Sequence, residues 1–226
     1  MAKIIKKHWD IILLFVIGIL LGVSAILGLR GTGPLVNYAS AATTATVTVT
    51  ATVAQNAELT VSAVNVGQSI NAATTTVTTT ATTVPLGTLS TATNTVAAHT
   101  LTMTTNAGGG YTVTAQYDHK LYRTSSTTQD IDDHTGTNAS PAVFSGAGTE
   151  AFGYTTEDFS LGTGTANRFS GGKWAKFETT AYEVAYHSGP VSATTTKIGY
   201  QAGISSLTTA GTDYTCIVTY TMSASF

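Results

Sequence analysis

The sequence has little charge and almost no cysteine, and both shortages limit what the protein can be. Only ten basic and twelve acidic residues occur among 226, and Cys216 is the single cysteine. A lone cysteine excludes an internal disulfide bond, so the fold must depend on its hydrophobic core or on assembly with other molecules. Between Thr43 and Tyr117 the one charged residue is Glu58, and residues 43–110 contain no Phe, Tyr or Trp.

The balance of charge argues against nucleic acid as a partner. Four of the ten Lys and Arg residues and one of the twelve acidic residues lie in residues 1–41, which leaves a net charge of −5 for residues 42–226. A surface that neutralises phosphates needs clustered Lys and Arg side chains. Residues 42–226 contain no such cluster.

The first 41 residues have the pattern of an export signal. Three lysines within residues 3–7 precede the uncharged stretch Ile11–Leu29, and Ala39-Ser40-Ala41 provides small residues for a signal peptidase. This predicts a signal peptide cleaved after Ala41. The alternative is an uncleaved anchor, because nineteen helical residues span about 28 Å, close to the thickness of the hydrocarbon layer. Both interpretations place residues 42–226 outside the cytoplasm, secreted or at the cell surface, with membrane contact only through the N-terminal segment.

In the rest of the chain, apolar and polar residues alternate along several segments. In residues 46–53, Val47, Val49 and Val53 fall on one face and threonines on the other, which predicts a half-buried strand. The Gly-rich turn Asn106–Gly110 predicts a hairpin over residues 99–117. No window of twelve residues beyond the leader has a helical period. The sequence therefore predicts an all-β fold, an immunoglobulin-like or jelly-roll-like β-sandwich, as one extracellular domain over residues 42–226 after an N-terminal apolar helix. Further alternating segments lie at residues 58–64, 74–84, 182–187, 198–204 and 214–222.

Four short segments resemble a known class of surface proteins. They are Pro85–Leu89, Thr104–Ala115, Phe152–Tyr154 and the ending from Ala210 to Phe226. Together they resemble secreted β-sandwich domains of the WxL kind, and the plan is similar to camelysin-like biofilm fibre subunits. The WxL resemblance implies peptidoglycan binding, but the Trp-x-Leu signature is absent, since Ala175 and Lys176 follow Trp174.

An acidic run provides the candidate metal site. Asp130, Asp132 and Asp133 lie close together in a stretch with many glycines and little alternation. Calcium takes six to eight oxygen ligands, and three carboxylates in a loop would supply part of such a set. The spacing departs from the EF-hand pattern at its fifth position, which is His134. A solvated acidic turn is therefore the favoured interpretation of this run.

A row of aromatic residues provides the candidate glycan site. Most members alternate with small residues on predicted strands, so packing in the core is the favoured interpretation. Trp174 has lysine and glycine neighbours, which predicts a position at a loop tip. The row consists of Tyr111, Tyr117, Tyr122, Tyr154 and Trp174.

No arrangement typical of an enzyme occurs in the sequence. A Gly-x-Ser-x-Gly elbow and a His-Glu-x-x-His pair are both absent. We therefore expect no enzyme activity, and no cofactor apart from the calcium hypothesis. Cys216 is expected to be a small buried apolar residue on the terminal strand.

The strongest functional expectation comes from uncharged strands. Edge strands are normally protected by charges or proline, and the strand at Val47, Val49 and Val53 has neither. The sequence predicts that this segment is an assembly strand, and that the protein self-associates into a fibre, pilus or surface coat by β-strand addition. The alternative is a monomeric adhesin or cell-wall glycan-binding module that uses the loops of residues 118–178.

Overall fold

The computed structural model describes residues 47–226, and this part of the chain is built from β-strands without a helix, as the sequence predicts. The predicted leader of residues 1–41 lies outside the described residues. No helix long and apolar enough to cross a membrane was found within the described range. The strands of this range are β1 (Ala57–Ala63), β2 (Ser69–Ile70), β3 (Ala73–Thr74), β4 (Thr95–Thr105), β5 (Tyr111–Tyr117), β6 (Tyr122–Arg123), β7 (Ser126–Asp130), β8 (Ala142–Val143), β9 (Ala151–Thr156), β10 (Lys173–Trp174), β11 (Tyr182–His187), β12 (Val191–Gly203), β13 (Tyr214–Thr215) and β14 (Val218–Ala224).

Two larger sheets share one hydrophobic core within the unit Thr52–Phe226. The first sheet has the order β1-β4-β12-β9 and the second the order β11-β5-β14, and neighbouring strands in both are antiparallel. Alternate residues of β4, such as Leu101 and Met103, meet Val113 and Ala115 of β5 in the core. Threonines at the intervening positions lie on the outer faces. Because alternate residues of a strand point to opposite sides of the sheet, each strand has one apolar face and one hydroxyl-rich face.

The predicted hairpin over residues 99–117 is wrong. Its two halves are the strands β4 and β5, but β4 pairs with β1 and β12, whereas β5 pairs with β11 and β14. The link Asn106–Gly110 therefore carries the chain from one sheet to the other. Gly110 has a φ of 75°, and a Cβ atom there would collide with the carbonyl oxygen of His187. Glycine permits this crossing, because it adopts positive φ and allows close approach of the backbone.

The strand predicted over residues 74–84 is also absent. β3 ends at Thr74, and threonine hydroxyls rather than a strand ladder hold the following residues. The Thr75 hydroxyl donates to the carbonyl of Asn65 at 2.7 Å, and the Thr79 hydroxyl donates to the carbonyl of Ala98 at 2.7 Å. Threonine side chains compete with the backbone for such partners, so a Thr-rich segment can satisfy its neighbours without becoming a strand.

A second, smaller apolar cluster covers part of the outer face of the first sheet. Ile70, Val96 and Trp174 are buried together there. Gly199 of β12 lies beneath them, and a Cβ atom at this position would lie 2.7 Å from Ile70 and 2.9 Å from Thr155. This cluster explains why the second half of β12 is buried on both faces.

Candidate functional site

The three predicted calcium ligands are not brought together around a metal site. The Lys120 ammonium lies 2.9 Å from the Asp130 carboxylate and 3.8 Å from that of Asp132. Asp133 turns away and accepts a hydrogen bond from the Tyr117 hydroxyl at 3.1 Å. Among residues 47–226, no group of three His, Cys, Asp or Glu side chains is arranged to hold a metal ion. Lys120 therefore supplies a positive charge to two of the three carboxylates.

Four of the five aromatic residues considered for a glycan site are buried, as the core-packing interpretation predicts. Tyr111, Tyr117, Tyr154 and Trp174 all lie inside the fold. Trp174 is not at a loop tip, since it belongs to β10 and packs edge-on against Phe144. These rings stabilise the core and present no shared surface to a sugar.

A buried polar network joins the loops of the middle region to β11, and the sequence patterns gave no sign of it. The Glu183 carboxylate accepts hydrogen bonds from the backbone N–H groups of Gly162 and Thr163, at 2.9 and 2.8 Å. Arg168 lies 3.8 Å from Glu183, and the side chains of both are about 5% exposed or less. Arg168 also donates to the Asn138 carbonyl and side chain, at 2.7 and 2.8 Å.

Asn138 occupies the centre of this network. Its amide donates to the Tyr154 hydroxyl at 2.7 Å and to the Glu183 carbonyl at 2.9 Å. Asn138-Ala139-Ser140 also has the pattern of an N-glycosylation sequon, and its acceptor residue Asn138 is buried. A register shift between Glu183 and Ala185 makes the network possible, since it breaks the alternation that the sequence suggested for β11.

The two larger sheets have four edge strands, of which β9 and β11 are covered. β9 exchanges backbone hydrogen bonds with Ala175 and with residues 132–134. In β11, the N–H of Tyr186 donates to the Asp158 carboxylate at 2.7 Å, and the Val184 carbonyl accepts from the Thr156 hydroxyl at 2.7 Å. Loops and side chains thus occupy the hydrogen-bonding groups of these two edges.

The other two edges, β14 and β1, are open. Ile217 and Ser225, which flank β14, bond to the β5 side, so the even-numbered residues between them point their backbone groups away from β5. In β1 the bond of Asn56 to Asn106 directs the even-numbered residues to β4 and the odd-numbered ones outward. Within residues 47–226, the outward backbone groups have no hydrogen-bond partner. They belong to Val218, Tyr220, Met222 and Ala224 in β14 and to Ala57, Leu59, Val61 and Ala63 in β1.

Both open edges lie on the same side of the fold. Some Cα atoms of β1 lie within 8 Å of Cα atoms of β14. Side chains of the two strands are only half-buried although they pack against the main core. We call this surface the open side. It consists of Leu59, Val61, Val218, Tyr220 and Met222.

A chain of hydrogen bonds links β14 to the first sheet. The Tyr220 and Tyr200 hydroxyls lie 2.5 Å apart, and the Tyr200 hydroxyl lies 3.0 Å from Nδ1 of His99. Burial raises the pKa of both tyrosines well above the ordinary value, so both remain neutral. β14 is therefore anchored through its inward side chains while its outer backbone groups stay free.

The expected half-buried strand at residues 46–53 does not form within the protein's own fold. Residues 47–56 have no regular secondary structure, and Val47, Val49 and Val53 are 84%, 87% and 80% exposed. Asn106 holds the end of this segment, because its side chain donates to the Ala54 carbonyl at 2.7 Å and accepts from the Asn56 N–H at 2.8 Å. Three exposed valines thus precede β1 on a segment without charge. Their role in assembly stays a prediction.

Cys216 lies at the edge of the main core as a free thiol. It is half-buried and packs on the same side as the inward residues of β14, close to its expected position. Burial, together with the nearby carboxylates of Asp118 and Asp133, raises the pKa of its thiol to about 12. A thiol with so high a pKa is a weak nucleophile at neutral pH.

No family model, curated protein or solved structure matches this chain. The resemblance to WxL-like and camelysin-like proteins stays a prediction. The functional proposal below therefore depends on the geometry of the open side and of the segment before β1.

Proposed function

We propose that this protein is an exported structural subunit of a fibre, pilus or surface coat, and that its subunits assemble by β-strand addition. In this proposal the fold is an immunoglobulin-like or jelly-roll-like β-sandwich, and the leader of residues 1–41 directs it out of the cytoplasm. The observation that carries the proposal is the presence, in one molecule, of an exposed uncharged strand-forming segment and of two open sheet edges.

The segment of residues 47–53 has a composition that favours a β-strand, although it does not pair with a sheet of its own subunit. Residues 47–53 alternate Val or Ala with Thr, and β-branched residues favour strands. Each of the exposed valines gains about 1.5–3 kcal/mol when it is fully removed from water. Two or three such side chains supply a driving force for association that the isolated subunit leaves unused.

The open side has the properties of an acceptor. Its apolar side chains are half-buried, and no charge or proline occurs within β14. Soluble proteins usually protect such edges with lysine, proline or a covering loop. An added strand would satisfy the free backbone groups and cover the apolar side chains at the same time.

A charge at the centre of the segment tests the proposal. Val49→Lys should abolish polymers, because the ammonium would be buried against the acceptor at a cost of several kcal/mol. Because Val49 is exposed in the subunit, the circular dichroism spectrum and melting temperature should stay as in the wild type. Light scattering and sedimentation of full-length protein isolated from cells would measure the polymers.

Thr48→Lys is the matched control. It introduces the same charge one residue away, on the opposite face of the segment. Side chains on that face of an added strand would stay exposed to water. This variant should polymerise like the wild type. If folded Val49→Lys protein still forms polymers, the subunits do not assemble by addition of this strand. A wild-type protein that stays monomeric at all concentrations would favour the monomeric adhesin or glycan-binding module.

A further inference from the structure

The proposed strand addition leaves open which of the two free edges accepts the segment. We infer that the acceptor is β14 of a second copy of this chain, and that residues 47–53 of one copy pair antiparallel with Val218–Ala224 of the next. This inference depends on the proposed function. Chain direction, side-chain pattern and charge support it independently of one another.

Chain direction favours β14. The segment leaves the fold at the end where residues 106–110 join β4 to β5, because Asn106 binds Ala54 and Asn56. β14 ends beside Tyr111 at this same end, whereas β1 begins there, opposite Thr105. We call it the 106–110 end.

Copies stacked head to tail in the same orientation then give a definite polarity. The segment of one copy extends from its 106–110 end into the opposite end of the next copy. Read from residue 47 to residue 53, it runs antiparallel to β14 and parallel to β1 of that copy. Antiparallel pairing is slightly more stable per residue than parallel pairing. Such a heterologous contact does not close on itself, so it produces a filament rather than a dimer.

The side-chain patterns of the two strands match over their whole length. β14 has seven residues, with Val218, Tyr220 and Met222 directed to the core and threonines and a serine directed outward. Residues 47–53 also number seven and alternate Val or Ala with Thr. In an antiparallel pair, opposite residues share a face. The full-length register therefore places all apolar residues inward, in the pairs Val47–Ala224, Val49–Met222, Ala51–Tyr220 and Val53–Val218.

This register also fits in volume. The smallest inward residue of the segment, Ala51, lies opposite the largest inward residue of β14, Tyr220. The outward threonines of the segment continue a hydroxyl-rich face, on which Thr221 lies opposite Thr114 and Ser223 opposite Thr112. An added strand therefore extends both faces of the second sheet without a change of pattern.

The distribution of charge also favours β14 over β1 as the acceptor. β14 and residues 47–53 contain no charged residue, whereas β1 has Glu58. Charged residues on an edge strand oppose pairing with other chains. β1 therefore has one of the usual protections, and β14 has none.

Disulfide cross-linking between copies tests the acceptor. The background is the full-length chain with Cys216→Ser, which removes its one native thiol. In this background, Val49→Cys combined with Met222→Cys should give a ladder of covalent oligomers on a non-reducing gel after mild oxidation. The expected Cα separation of a hydrogen-bonded antiparallel pair, about 5.5 Å, lies within the range of disulfide bonds. Each single variant should give dimers at most.

Two matched double variants complete the experiment. Thr48→Cys with Met222→Cys puts one thiol on the wrong face and should give no ladder. Val49→Cys with Leu59→Cys tests β1, and a ladder from this pair alone would overturn the assignment to β14 while leaving strand addition intact. If neither Val49 pair gives a ladder although Val49→Lys abolishes polymers, the β14 assignment fails alone. If polymers also survive Val49→Lys, the proposed function fails with it.

A second measurement needs no substitution in β14. In wild-type polymers, the amide hydrogens of Tyr220 and Met222 should exchange at least about tenfold more slowly than in the monomer. The amide hydrogens of Leu59 and Val61 should be unchanged. The opposite distribution of protection would identify β1 as the acceptor and overturn the inference.

Discussion

At the scale of single residues, the stability of the fold depends on buried polar groups as well as on apolar packing. Glu183 and Arg168 are both buried, and the two are linked through Asn138 and Thr163. Removing one partner of a buried ion pair leaves the other charge without compensation. The network therefore stabilises the loops that cover β11 only as long as it is complete.

Glu183→Gln should reduce the free energy of unfolding by about 3–5 kcal/mol. The amide leaves the Arg168 guanidinium without its counter-charge and directs an NH₂ group at the N–H donors of Gly162 and Thr163. Urea unfolding followed by circular dichroism would measure the loss. The double variant Glu183→Met with Arg168→Met should lose less free energy of unfolding than the sum of the losses in the single variants Glu183→Met and Arg168→Met. Additive losses would mean that the two residues act independently.

Two buried histidines make the fold sensitive to acid. Burial lowers the pKa of His99 and of His134 below the ordinary value of 6.5. Below pH 6.5 the unfolded chain therefore binds more protons than the folded one, and stability is lost as the pH falls toward the folded-state pKa values. Asp133 acts in the opposite direction, because burial raises the pKa of its carboxyl and its protonation favours the folded state.

The melting temperature should accordingly be lower at pH 5.5 than at pH 7.5. The double variant His99→Gln with His134→Gln is less stable at neutral pH, since it loses native packing, but the difference between the two pH values should shrink. Thermal melts of both proteins at the two pH values provide the measurement. An unchanged difference would show that other groups determine the acid response.

At the scale of secondary structure elements, alternation predicted strands well where one face is buried and the other is hydrated. β1, β5, β12 and β14 all overlap predicted alternating segments, and the inward residues of β14 are the ones that the pattern selects. Alternation could not decide how strands are connected. β4 and β5 both direct alternate residues to the core, which is equally compatible with a hairpin and with the observed crossing between sheets.

The candidate assembly site was also only partly predictable, because a sequence pattern does not show which strands pair with one another. The absence of charge identified residues 47–53 as an unprotected segment, but the sequence placed it in the protein's own sheet, whereas the structure leaves it exposed. The sequence also did not reveal that Lys120, ten residues from Asp130 in the chain, lies beside the acidic run in space. Residue type and spacing do not reveal such contacts, which depend on how distant strands pair.

At the scale of the whole molecule, the proposed assembly treats the open side as lacking one strand, which the segment before β1 of another copy supplies. A filament results if each copy supplies this strand to the next, and the contact needs no disulfide bond. The longest strand, β12, has thirteen residues at about 3.3 Å each and is therefore about 43 Å long. Head-to-tail stacking along the strand direction thus predicts an axial repeat of about 40–50 Å.

Electron microscopy of the full-length wild-type protein isolated from cells tests the central claim most directly. The strand-addition account predicts unbranched filaments that persist under reducing conditions, with an axial repeat of about 40–50 Å set by the length of the strands. Folded protein that appears only as single particles at every concentration, or as closed pairs without further growth, would contradict it.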